Sequence, residues 1–69
     1  MTLMNLIELL DCNVLMIIVL EVYGHKIKIV KYRDAILKDS SVEFLDMIAD
    51  SIDPILYNDT AALQVNLKD

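Results

Sequence analysis

The stretch NVLMIIVLEVY, residues 13–23, holds seven unbroken apolar residues, Val14 to Leu20, in a chain of net charge −5. A membrane helix, a buried strand and a surface that requires a partner compete for it. A bilayer span takes about 20 apolar residues, and Glu21 ends this run well short of that. A secretory leader is not expected, because Glu8 and Asp11 precede the run where Lys or Arg would stand. Val14, Ile17, Ile18, Val19 and Val22 are β-branched, which favours a strand. YGHK (23–26) then brings the only Gly of the chain, and Ile27 and Ile29 alternate with Lys26 and Lys28. Two strands around a tight Gly turn predict a β-hairpin.

Upstream, Leu3, Leu6, Ile7 and Leu10 recur at helical spacing while Asn5, Glu8 and Asp11 fall on other faces. The spacing predicts a short amphipathic helix over 3–10, with Thr2 at its cap. Downstream, YRDAILKD (32–39) has room for one or two helical turns. Ser40-x-x-Glu43 fits a capping box and predicts a helix starting near Ser41. Val42, Leu45, Ile48, Ala49 and Ile52 keep helical spacing until Asp53-Pro54 stops it. A rival reading ends that helix near Met47 and starts a strand at about Ile48, and periodicity alone leaves both open. In the last stretch Ala61, Leu63, Val65 and Leu67 alternate with Ala62, Gln64 and Asn66. A turn at Asn58-Asp59 joins this half-wet strand to a hairpin partner at 55–57.

Sixty-nine residues make one domain, residues 1–69. So small a chain buries only about 60% of its unfolded surface and usually adds a disulfide, a metal or a partner. One Cys forbids an internal disulfide, and one His with one Cys cannot build a four-ligand zinc site. An apolar core or oligomerisation is left, and the 57% hydrophobic content suits both. The lone Cys fits a reducing, cytoplasmic compartment. The expected fold is α+β: a small four-stranded, mainly antiparallel sheet with two or three short helices.

Leu6–Asp11, Leu45-Asp46, Asp50-Ser51-Ile52 and the alternating terminal strand give the chain a likeness. It resembles a family of small uncharacterised proteins encoded in phages and mobile elements of Firmicutes. The resemblance covers most of the chain through short, generic motifs. It implies a strand rather than a helix at 49–52, and it carries no catalytic residues. The first strand departs from the family pattern by being more apolar.

The chemistry is read mostly by elimination. A lone Gly excludes the Gly-rich phosphate loops. Ser40 and Ser41 have no base nearby and serve a cap. His25 reads as a surface turn residue, and Cys12 as a partly buried small hydrophobe after the first helix. Tyr23, Tyr32 and Tyr57 read as packing or rim residues. No catalytic, cofactor-binding or metal-binding residue is expected. Glu43, Asp46, Asp50 and Asp53 are spaced to line one face of a continuous helix. They make a solvated acidic face and the candidate partner-binding residues. In the strand reading this row breaks up at Asp50.

Charge is segregated along the chain. Lys26, Lys28, Lys31, Arg33 and Lys38 are five of the six basic residues, whereas residues 39–59 hold six acids and no base. A sequence pI near 4.5 disfavours direct nucleic-acid binding, which needs clustered Lys and Arg. The function expected is a non-enzymatic binding protein of phage or mobile-element type. It would act through its acidic surface as an inhibitor of a host defence system, a nuclease complex, in the manner of anti-CRISPR proteins. The alternative is a small homo-oligomeric structural or accessory protein. In a strand, Leu15, Ile17 and Val19 share a face whose other strands carry Lys and Gln. That apolar strip predicts a homodimer interface.

Overall fold

A computed structural model of the protein describes residues 1–39 and 44–68. The apolar run becomes strand β1 (Leu15–Val22), which turns at Tyr23-Gly24 into β2 (His25–Tyr32). A second hairpin joins β3 (Ile48–Tyr57) to β4 (Thr60–Lys68). Helix α1 (Leu3–Leu9) precedes the first hairpin, and α2 (Arg33–Lys38) follows it. The sheet order is β2-β1-β4-β3. Both hairpins are antiparallel, and the two central strands, β1 and β4, run parallel. The fold is α+β, as the alternation of apolar residues predicts.

The central position of β1 accounts for its composition. A strand paired on both sides, with apolar neighbours above and below, reads as a continuous apolar run. Both turns are two-residue turns with positive φ at each central residue: 51° and 79° at Tyr23 and Gly24, 48° and 64° at Asn58 and Asp59. That is the sign a type I′ hairpin turn requires.

Met16, Ile18 and Leu20 of β1 point to the same side as Val65 and Leu67 of β4. There they pack with Leu3, Leu6 and Ile7 of α1 and Ile36 of α2. Both helices thus cover one face of the sheet. Arg33 locks them together: its Nε donates to the Ile7 carbonyl at 3.1 Å, and its backbone N–H donates to the Val14 carbonyl at 2.9 Å. The Asn13 side-chain oxygen accepts the Asp34 N–H at 2.9 Å, tying down the first turn of α2. At the start of α1, Thr2 and Asn5 form a reciprocal capping box.

The segment after α2 settles the choice left open by periodicity. The start of the helix expected near Ser41 lies outside the described residues, and 44–47 forms a turn rather than helix. Its carbonyls are used elsewhere: Leu45 accepts from the Met4 N–H and Met47 from the Leu3 N–H, both at 3.0 Å. The first N–H groups of a helix have no partner inside it, so this turn completes α1 rather than forming a helix of its own. Ile48 then begins β3. Pro54 does not end the strand, although helix spacing stops there. β3 lies at the sheet edge, where only one side of the backbone needs partners, and Pro is tolerated at such positions. A bulge at Asp50 interrupts the register between Ala49 and Ser51.

The opposite face of the sheet carries no helix among the described residues. On it Leu15, Ile17 and Ala62 form a second, smaller cluster, flanked by Val19, Ile55 and Tyr57. Leu15 and Ile17 are buried within the single chain, Ile17 to 1% exposure. Of the strip expected at Leu15, Ile17 and Val19, the first two are thus covered within one chain, and Val19 is partly buried. Ile17 stands between Val30 on β2 and Gln64 on β4, and neighbouring side chains on the same face shield it.

Candidate functional site

Of the acidic residues singled out in the sequence, the described ones, Asp46, Asp50 and Asp53, do not line one face. Glu43 lies outside the described residues. Asp46 is exposed in the 44–47 turn, Asp50 is exposed at the β3 bulge, and Asp53 is exposed on β3. Asp53 pairs in register with Gln64 and so belongs to the open face of the sheet. The helical row fails because the backbone is extended, and side chains alternate along a strand. The bulge adds one residue and shifts the alternation again.

The end of the sheet brings other groups together. Glu21, Asp50 and Lys68 line a shallow opening of about 550 Å³ with Tyr23, Met47 and Leu67. Asp46 precedes Met47 in the chain. Glu21 was not singled out by the sequence reading, because it sits far from the acidic segment. The signal available was its place at the end of an otherwise apolar strand, which puts it at the sheet's rim. Lys26 stands opposite Glu21 in the β1–β2 register.

Two ion pairs occur among the described residues. Lys31 Nζ meets Asp39 Oδ2 at 2.8 Å, and Arg33 meets the adjacent Asp34 at 3.0 Å. Asp46, Asp50 and Asp53 take part in neither. On the open face, the Asn66 amide donates to Ser51 Oγ at 2.7 Å, which satisfies two polar groups beside the apolar cluster.

The remaining candidates are dispersed. Cys12 is exposed rather than partly buried, since α1 ends at Leu9 and the chain leaves the core before it. His25 is exposed at the start of β2. Tyr23 projects into solvent at 97% exposure, and Tyr32 and Tyr57 border the open face. Among the described residues no three His, Cys, Asp or Glu come together as a metal site. No charged or polar residue among them is buried. No described helix is long and apolar enough to cross a membrane. Compared with protein-family models, curated proteins and solved structures, the chain matches none.

Proposed function

We propose that this chain is a non-enzymatic binding protein of the phage and mobile-element kind that its sequence resembles. It acts in the host cytoplasm, where its acidic surface occupies a basic surface of a defence nuclease complex. The observation that carries the reading is the state of Asp46 and Asp50. Both are exposed, and neither is in an ion pair among the described residues, in a chain of net charge −5. Carboxylates held this way keep their charge available to a partner, and surfaces of one sign steer partners of the other.

The test is capture from host lysate on immobilised protein, comparing the wild type with Asp46→Lys combined with Asp50→Lys. The reading predicts that the wild type retains a protein with a basic groove and that the variant loses it. Equal retention by both would refute it. The second reading, a homo-oligomeric accessory protein, draws on a different feature, the uncovered face of the sheet.

A further inference from the structure

The open face has an internal order. Its side chains fall into rows across the four strands, each row set by the register. One row is Val30, Ile17, Gln64 and Asp53; the next is Tyr32, Leu15, Ala62 and Ile55. In the other direction come Lys28, Val19, Asn66 and Ser51, then Lys26 beside Glu21. One end of the face is therefore apolar and the other polar. Val30 and Tyr32 remain 37% and 47% exposed at the apolar end. Charge is divided sideways as well: Lys26 and Lys28 stand on the β2 edge, and Asp53 on the β3 edge.

We propose that two copies of this chain stack through their open faces about a twofold axis parallel to the strands. Only that axis keeps each row against its own kind. It sets β2 of each copy over β3 of the other, so Tyr32 meets Ile55 of the partner subunit. Lys28 then lies one row, about 7 Å along the strand, from Asp53 of the partner subunit, within reach of a lysine side chain. A twofold axis across the strands would instead set the Lys26 row over the Tyr32 row. The β2 and β3 edges are thus opposite in charge across the axis, as an interface between identical copies can use, and Val30 is set over Asp53 of the partner subunit.

Its area sets the strength. Four strands of about eight residues, at about 4.8 Å spacing and 3.4 Å rise, present roughly 500 Å² per copy. Two such faces give a combined footprint of roughly 1,000 Å², and because Leu15, Ile17 and Ala62 are already covered in the single chain, the accessible area newly buried falls below the roughly 1,000 Å² of a stable specific interface. Ile17 and Leu15 are already buried in the single chain, so association adds only the cover over Val19, Val30, Tyr32, Ile55 and Tyr57. The dimer is accordingly weak and depends on concentration, and the single chain folds without it.

Sedimentation velocity from low micromolar to near-millimolar concentration tests this, with circular dichroism as a check on folding. The wild type shifts from 7.9 kDa toward twice that mass. Val30→Asp, which sets a carboxylate against Asp53 of the partner subunit, holds the protein as monomer. Lys28→Asp, an exposed change that spares the core, weakens association several-fold, and adding Asp53→Lys restores it. A wild type that stays monomeric throughout overturns the proposal. So does association unmoved by Val30→Asp, or a Lys28→Asp defect that Asp53→Lys fails to rescue. None of these variants touches Asp46 or Asp50, so failure here leaves the acidic-surface reading standing.

Discussion

Ile17 shows how position governs the meaning of a residue. From the sequence it lies on the strand face opposite Met16 and Ile18, and that parity is correct. What parity could not supply was the neighbours. Register places Val30 and Gln64 on either side of Ile17 and Ala62 close by, and long-range register is not encoded in local alternation. Ile17→Ala should therefore cost about 2–5 kcal/mol in urea unfolding, the range for truncating a buried aliphatic. Val30→Ala, at a partly exposed position, should cost under about 1 kcal/mol. Equal costs at the two sites would mean that Ile17 is not enclosed. Ile17→Lys, which would separate copies if Ile17 were an exposed contact, is expected to unfold the chain instead, since it buries an unpaired charge. Cys12 and His25 sit at the other extreme. Both are exposed, and Cys12→Ser and His25→Ala should each change stability by no more than about 0.5 kcal/mol and leave partner capture intact.

At the scale of elements, the hairpins were legible and the middle of the chain was not. Gly24 and Asn58-Asp59 carry strong turn chemistry, and the strands beside them alternate cleanly. Residues 44–53 present helical and strand spacing at once, and the decision came from hydrogen bonds that cross the chain. The N–H groups of Leu3 and Met4 take the carbonyls of Met47 and Leu45. The β1–β2 turn offers a direct test of local against tertiary control. Tyr23 adopts φ 51° with its side chain 97% exposed. A side chain in the left-handed region costs roughly 1–2 kcal/mol, and this one has almost no contacts to offset that. Tyr23→Asn creates the Asn-Gly pair that such turns favour. It should raise the melting temperature by about 4–8 °C per kcal/mol regained. An unchanged or lowered melting temperature would show that Tyr23 makes a stabilising contact in solution.

At the scale of the whole molecule, the sheet separates two surfaces that the sequence reading ran together. Asp53 belongs to the open face with Ile17 and Gln64. Asp50 belongs to the end of the sheet with Glu21 and Lys68. The acidic composition of 39–59 was visible as a count of charges. Its division between two surfaces depends on the bulge after Ala49, which no local signal announced. The central claim is that the exposed carboxylates Asp46 and Asp50 bind a partner by charge, and the salt dependence of affinity for the captured partner tests it most directly. Exposed charges lose their influence beyond roughly 10 Å at 0.1 M salt and 3 Å at 1 M. The account predicts that the wild type's affinity falls steadily as salt rises. It also predicts that Asp46→Lys with Asp50→Lys starts weaker at low salt, and that the two converge at high salt. Affinity that stays flat with salt and equal in both proteins would contradict it.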